Sequence, residues 1–465
     1  MKSQDPPLEQ LQSIVNLFTQ GKLQQTLSES RKMLEQFPKS AVLCNILGVS
    51  NAELMQFDTA IDFYKKALKI KPDYAEVYYN LGKAFKSKGE LVVAVDSYKQ
   101  ALKIKPDYAE AYNNMGNTLK DKGDLEAAVE SYKQALKIKP DYANAYNNMG
   151  ISLSNPEEAI DSFNQALMIK PDYAEAKSNL IDLLTTYIPQ KESSNPIVIV
   201  NDEIRKIDIK DTTSKIISDD QVIDIFSRSE NYISGQDLKL RIPFSQAFRR
   251  NSVNLNCKRH MSIFDKHDII PEFCFGCYKV QVEPRSIIEL VKLFIVFDQL
   301  ELKENNTRKC MVELRPEISG FYKGLIFCSG LKQANQIAEH LNIILKQSIG
   351  PGLSSKVKRG CSEYPISFPN YKEINNSGLQ LMNYKEEWKA IEEAHDRKKA
   401  EYAKEIKKVS LSGLNLSDIL IIRKWIDYAR GIGDPTADLL SQNTLYYQNI
   451  YDIAKARLDK FNFSY

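Results

Sequence analysis

The feature that most constrains this chain is a repeat of about 34 residues in its first half. Pro38, Pro72, Pro106, Pro140 and Pro171 recur at intervals of 34, 34, 34 and 31 residues. The text between them almost repeats itself, as in KQALKIKPDYAEAYNNMGN and KQALKIKPDYANAYNNMGI. Self-similarity at this period indicates a repeat architecture in which each unit buries its apolar face against its neighbours.

Small and large apolar residues recur at fixed places within each unit. Their steps of three and four residues, interrupted by Lys-Gly and Lys-Pro, predict two antiparallel helices per unit. The small residues are expected where the two helices touch, with an aromatic ring filling the space against the next unit. In chain order the recurring positions are Gly48, Gly82, Gly116 and Gly150, then Ala60, Ala94, Ala128 and Ala159, then Tyr64, Tyr98, Tyr132 and Phe163, and finally Ala67, Ala101, Ala135 and Ala166.

These repeated residues make the segment 8–188 similar to the tetratricopeptide repeat (TPR) family, with about five repeats. The resemblance implies an α-solenoid of helical hairpins with a concave binding face. The fourth clear copy departs from the pattern, because SLSNPEEA lacks three residues relative to TLKDKGDLEAA. We expect a shortened turn there, with Asn155 capping the next helix and Pro156 in its first turn.

A line of asparagines is the candidate binding site of the repeats. Carboxamides offer donors and an acceptor, as each peptide unit of an extended chain does, so the line predicts binding of an extended peptide or of another protein. The alternative is that the near-identical copies share these asparagines because they were recently duplicated. The amides would then only hydrate a groove. The candidate residues are Asn80, Asn114, Asn148 and Asn179, spaced by 34, 34 and 31 residues, with Asn113, Asn147, Lys83 and Asn117 beside them.

In this respect the repeats resemble those of O-GlcNAc transferases, and the resemblance implies contacts to peptide backbone that do not depend on side-chain identity. It covers only the repeats. Sugar-nucleotide-binding α/β units need a glycine-rich turn from strand to helix, and we find none after residue 190. The transferase activity is therefore not carried over to this chain.

Composition changes at 189–196, which we interpret as a linker, and the remainder predicts a different fold. Residues 197–256 suggest short strands and loops, and 366–465 a helical tail. Between them, 272–365 show the order strand, helix, strand, strand, helix, strand, which is typical of a ferredoxin-like (βαββαβ) core within an α+β domain at 197–365. This topology hosts many functions and so predicts none by itself.

Cysteines are the unusual feature of this second part. The string Cys257-x2-His260-x13-Cys274-x2-Cys277 has the paired spacing of a structural zinc site. Buried structural cysteines are one alternative, and an enzyme with thiol- or zinc-dependent chemistry, to which the repeats recruit a protein substrate, is another. Zinc is thus a possible cofactor and no other is predicted; without a catalytic signature, the sequence leans away from an enzyme.

Charge and hydropathy bear on which classes of binding partner are expected. The net charge is +3, so no strong overall field favours nucleic acid or an anionic membrane. RNA binding by the small sheet is a second alternative, but Lys323–Cys328 (KGLIFC) has one aromatic residue where the RNA-recognition signature wants about three. With no apolar leader or membrane span, and an odd number of cysteines, seven, we expect a cytoplasmic protein-binding scaffold of undetermined oligomeric state.

Overall fold

The structure is a computed structural model of the chain. It describes residues 5–209, 216–236, 238, 240–250, 256–361, 364–375, 380–398, 409–441 and 444–462. Contacts divide the chain into two compact units, Met1–Leu180 and Ile181–Tyr465. Each unit is considered by itself below.

Helices alone form the described part of the first unit, and consecutive helices pack as antiparallel hairpins. The first helix of each repeat is odd-numbered and the second is even-numbered. In chain order the helices are α1 (Leu8–Thr19), α2 (Leu23–Gln36), α3 (Ala41–Glu53), α4 (Phe57–Ile70), α5 (Ala75–Ser87), α6 (Leu91–Ile104), α7 (Ala109–Asp121), α8 (Leu125–Ile138), α9 (Ala143–Ser152), α10 (Pro156–Ile169) and α11 (Ala174–Leu184), the last of which contains the division between the units.

A glycine allows the two helices of each repeat to approach closely. A Cβ atom on Gly116 would lie 2.5 Å from a ring carbon of Tyr132, and one on Gly82 would lie 2.7 Å from Tyr98. The repeated alanines on the even-numbered helices are at most 3% exposed. The predicted role of the small residues is therefore confirmed. The ring was predicted to fill space against the next unit, whereas it lies on the glycine of its own repeat.

The three-residue deletion shortens a helix. Helix α9 has 10 residues where α7 has 13. The Asn155 side chain accepts a hydrogen bond from the backbone N–H of Glu157, at 3.0 Å, and Pro156 is the first residue of α10. The predicted cap is confirmed, but the prediction of a shortened turn was wrong. Three residues separate α9 from α10, as they separate α7 from α8, so the whole loss falls at the end of α9.

The second unit combines a five-stranded sheet with helices. Its elements are α12 (Pro196–Arg205), α13 (Asp219–Ser234), β1 (Gln246–Arg249), α14 (Cys257–His267), α15 (Glu272–Gly276), β2 (Tyr278–Val282), α16 (Ile287–Gln299), β3 (Arg308–Val312), β4 (Tyr322–Cys328), α17 (Leu331–Ser348), β5 (Ser355–Arg359), α18 (Tyr364–Ser367), two 3₁₀ turns (Pro369–Lys372 and Glu386–Trp388), α19 (Lys389–Lys398), α20 (Leu416–Gly431), α21 (Ala437–Leu440) and α22 (Gln448–Asn462).

The sheet is antiparallel throughout, with strand order β1-β3-β4-β2-β5. Val280 pairs with Ile326 on one side and with Val357 on the other, which makes β2 a central strand. Helix α16 packs on β3 and β4, where Gly324 leaves room for Leu293. Strand β1, at the edge beside β3, lies in the segment 197–256, for which short strands and loops were predicted without their positions.

Several local predictions for this unit were wrong. The IVIV run at 197–200 lies in helix α12, and α13 is also helical where strands and loops were expected. Residues Glu272–Gly276 form the short helix α15 instead of the start of a strand. A fully apolar run has no periodicity that separates a buried strand from a buried helix, which explains the first error.

The predicted C-terminal helices pack closely in the second unit. Almost all of α20 is buried, and it contacts α16, β1, β3 and α22. Asn415 caps α20 and forms a capping box with Asp418. Residues 399–408 of the predicted Glu/Lys-rich helix lie outside the described residues.

Candidate functional site

The four predicted asparagines of the repeat face join successive repeats by hydrogen bonds. The Asn80 side chain donates to Asn45 Oδ1 at 3.1 Å. One repeat further on, Asn114 donates to the Tyr79 hydroxyl at 2.8 Å. The last two bonds run from Asn148 to Asn113 Oδ1 at 3.1 Å and from Asn179 to Asn147 Oδ1 at 2.9 Å.

Each of these four carboxamides keeps binding capacity after its bond to the neighbouring repeat. A carboxamide has two N–H donors and an oxygen with two lone pairs, and the inter-repeat bond uses one donor. The side chains of the four asparagines are half-buried. They can therefore bridge the repeats and also present polar groups to a ligand.

The other predicted residues of this face divide into supporting and exposed positions. Asn113 and Asn147 are 5% and 2% exposed and serve as acceptors for the four-asparagine row. Asn117 accepts a hydrogen bond from the Tyr132 hydroxyl at 2.8 Å. Lys83 is exposed, and its ammonium lies 5.8 Å from the centre of the Tyr79 ring.

A row of tyrosines beside the asparagines was missed by the sequence reasoning. Its members directly precede the odd-numbered helices, and the ammonium group of the lysine three residues earlier lies 4.7 to 5.0 Å from the centre of each ring. The repeated K-P-D-Y string was the available signal. The tyrosines are Tyr74, Tyr108, Tyr142 and Tyr173.

Contacts place this tyrosine row next to the asparagines. The ring of Tyr108 lies 5.0 Å from that of Tyr79, and Tyr74 and Tyr173 form hydrogen bonds with Asn45 and Asn147 respectively. Burial raises the pKa of Tyr142 to about 12. Its hydroxyl thus stays protonated and able to donate at neutral pH.

The predicted zinc ligands lie in the second unit, in two neighbouring segments. Cys257 is the exposed first residue of α14, and His260 follows one helical turn later. The His260 ring stacks on Phe273 at 5.1 Å and is 5% exposed. Burial lowers the pKa of His260 to about 4, so this ring is neutral.

Cysteine 361, just after β5, lies beside the C-x2-C pair and was not in the predicted set. The thiols of Cys274 and Cys361 are hydrogen-bonded, and this contact is the largest cause of the raised pKa of Cys274. Burial raises the pKa of Cys277 to about 12, with Cys361 and Cys257 adding to the effect. We call Cys257, Cys274, Cys277 and Cys361 the cysteine corner.

Aromatic residues enclose the buried side of this corner. Cys274 Sγ lies 3.4 Å from the Tyr364 hydroxyl, and the Tyr371 hydroxyl donates to the Cys274 carbonyl at 2.8 Å. Cys274 belongs to an apolar cluster with Tyr364, Tyr371 and Trp388. As the side chains of the described residues stand, no group of three histidine, cysteine or acidic residues is arranged to hold a metal ion.

Comparison with known proteins identifies the repeats. A family profile described as TPR repeat matches residues 53–89, 82–123 and 116–155. Residues 53–155 are therefore tetratricopeptide repeats, as predicted. No curated protein matches the chain.

Solved structures resemble the chain over little more than a third of its length. MamA is 26% identical, with 34% of this chain and 95% of that chain covered and a TM-score of 0.32. YrrB, described as a TPR protein with an unusual peptide-binding site, is 22% identical. The match covers 38% of this chain and 91% of that chain, with a TM-score of 0.32. PilF of Pseudomonas aeruginosa is 20% identical, with 38% of this chain and 81% of that chain covered and a TM-score of 0.36.

None of the described helices is both long enough and apolar enough to cross a membrane.

Proposed function

We propose that the repeats bind an extended peptide, or an extended segment of another protein, along the row Asn80, Asn114, Asn148 and Asn179. The protein is then an interaction scaffold that carries the second unit on the same chain. Its expected location is the cytoplasm, which follows from the sequence alone.

The observation that carries this proposal is the regular inter-repeat bonding of the asparagines. Each carboxamide is oriented by the preceding repeat, so one donor and the acceptor recur once per repeat in a fixed geometry. Fixed polar groups bind an extended backbone with little loss of side-chain entropy. The tyrosine row adds hydroxyl donors and apolar ring area along the same row.

The second unit is best interpreted as a ferredoxin-like core extended by β1. The strands β2, β3, β4 and β5, with α16 and α17, follow each other in the predicted order, and their neighbours in the sheet are antiparallel. Without a family match outside the repeats, this interpretation assigns no chemistry to the unit.

The test uses peptides selected from a displayed random library on the full-length chain, each long enough to span four repeats. Replacing Asn80, Asn114, Asn148 and Asn179 together by Ala should weaken binding of the selected peptides at least tenfold, since several hydrogen bonds of about 1 kcal/mol each are lost. Affinity is measured by calorimetric titration. The matched control replaces Gln100 and Gln165, exposed carboxamides of α6 and α10, by Ala and should leave the affinity unchanged.

Aspartate variants separate binding from stability at the same positions. In Asn114→Asp the Tyr79 hydroxyl can donate to the new carboxylate, so the inter-repeat bond survives while the carboxamide donors are lost. We expect near-native thermal stability with strongly reduced peptide affinity. Native affinity in both the aspartate and the fourfold alanine variants would refute the proposal.

A further inference from the structure

We propose that the cysteine corner binds one zinc ion through Cys257, Cys274, Cys277 and Cys361. Cys361 thus replaces His260 in the ligand set that the sequence suggests. This inference concerns the second unit and does not depend on peptide binding by the repeats.

The two cysteines of the C-x2-C string lie in backbone turns and not in a straight strand. The backbone N–H of Cys274 donates to the carbonyl of Pro271 at 2.9 Å, and the N–H of Cys277 donates to the carbonyl of Cys274 at 3.2 Å. Helix α15 ends at Gly276 between them. A straight strand would point these side chains to opposite faces, and the turn removes that obstacle.

Strand pairing brings the third cysteine to the same place. Tyr278 of β2 pairs with Arg359 of β5, and the ladder continues through a 2.9 Å bond from the Gly360 N–H to the Cys277 carbonyl. A Cβ on Gly360 would collide with Cys277 Sγ, so this thiol lies directly over the residue before Cys361. Two segments that are far apart in the sequence thereby share one corner.

The donor set suits a soft, tetrahedral cation. Cys361 packs against the apolar cluster that contains Cys274. Helix α14, which begins at Cys257, packs against the same cluster through Ile263, and its His260 stacks on Phe273, the residue before Cys274. Four thiolates are an accepted ligand set of structural zinc, and binding releases one proton from each thiol. The cation of Lys279, next to the corner, offsets part of the resulting negative charge.

Binding requires a small rearrangement from the arrangement described above, in which no three described ligand groups already surround a metal position. We expect the rearrangement to be a rotation of the thiols about χ1, because strand pairing already brings the segments of Cys277 and Cys361 together. His260 is the poorer candidate for the fourth position, since its ring is buried against Phe273.

The test is an anaerobic titration of the reduced full-length protein with Co²⁺, followed by displacement with Zn²⁺. The wild type should bind one equivalent and develop a thiolate-to-cobalt charge-transfer absorption that zinc abolishes. Cys361→Ser should lower the affinity at least a hundredfold, whereas His260→Gln and Cys44→Ser, the latter in the repeats, should retain it. No charge-transfer band in the wild type, or a native titration of Cys361→Ser, would overturn the proposal.

Alkylation of the wild type keeps the test decisive if the variant does not fold. With an iodoacetamide pulse and peptide mass spectrometry, zinc should slow modification of all four cysteines of the corner and leave the rate at Cys44 unchanged. Equal rates for Cys257 and Cys361 with and without zinc would contradict the proposed ligand set.

Discussion

At the residue scale, the glycine of each repeat controls how closely its helices pack. Gly116 and Gly82 lie face to face with the rings of Tyr132 and Tyr98. These tyrosines are fully buried, so the rings have no free space into which they could move. The glycines are thus required for close approach, with no demand for an unusual backbone angle.

Adding one methyl group to this contact should destabilise the repeats. Gly116→Ala would place a Cβ 2.5 Å from the Tyr132 ring, and we expect a loss of about 1–3 kcal/mol, the usual cost of overpacking. Chemical denaturation followed by circular dichroism measures the loss. The same substitution in a Tyr132→Ala background should cost much less; an equal cost there would mean that the ring is not the obstacle.

At the scale of elements, a buried ionic cluster joins β1, α16 and α20. The guanidinium of Arg249 pairs with Asp298 and donates to the two oxygens of Asp418 at 3.0 and 2.7 Å. It also lies 4.2 Å from the centre of the Phe294 ring. Edge strand β1 has only four residues, so we expect this cluster to contribute much of the stability with which β1 is held against α16 and α20.

Removing the cation should leave two buried carboxylates without their partner. Arg249→Met is therefore expected to destabilise the protein by about 3–5 kcal/mol, measured by denaturant titration. The loss should shrink as the pH falls from 7 to 5, because protonation neutralises Asp418, whose pKa burial already raises and which loses the arginine that lowers that pKa. Arg228→Met, an exposed arginine of α13, is the control and should have little effect at either pH; a pH-independent loss in Arg249→Met would assign the effect to packing.

Elements of the repeats could be predicted because their contacts are local. The Gly-Tyr and Ala positions recur within one unit, and each repeat packs on its sequence neighbours, so the pattern contains most of the packing information. The asparagine row was predicted on the same basis. Its hydrogen bonds were not, because the period alone does not say that Asn114 meets Tyr79 one repeat earlier.

Elements of the second unit depend on distant partners. Strand β1 is stabilised by pairing Gln246 with Met311 and by the Arg249 cluster, neither of which has a local signal. Cys361 joins the C-x2-C pair only through the pairing of β2 with β5. A zinc prediction from spacing can name only sequence neighbours such as His260, and Cys361 has no such signal.

At the scale of the whole molecule, the chain joins a repeat unit to a unit with non-local topology. The first offers a row of polar groups at one-repeat intervals, and the second carries the cysteine corner. Nothing in the peptide-binding proposal requires chemistry in the second unit. An extended peptide is therefore expected to bind on the odd-numbered helices of the repeats.

Hydrogen–deuterium exchange of the full-length chain with and without a selected peptide tests this claim most directly. Bound peptide should slow exchange in α5, α7, α9 and α11, which carry the asparagine row, and leave α6, α8 and α10 nearly unchanged. The fourfold alanine variant should lose this protection at the same peptide concentration. Protection confined to the even-numbered helices or to the second unit would contradict the account.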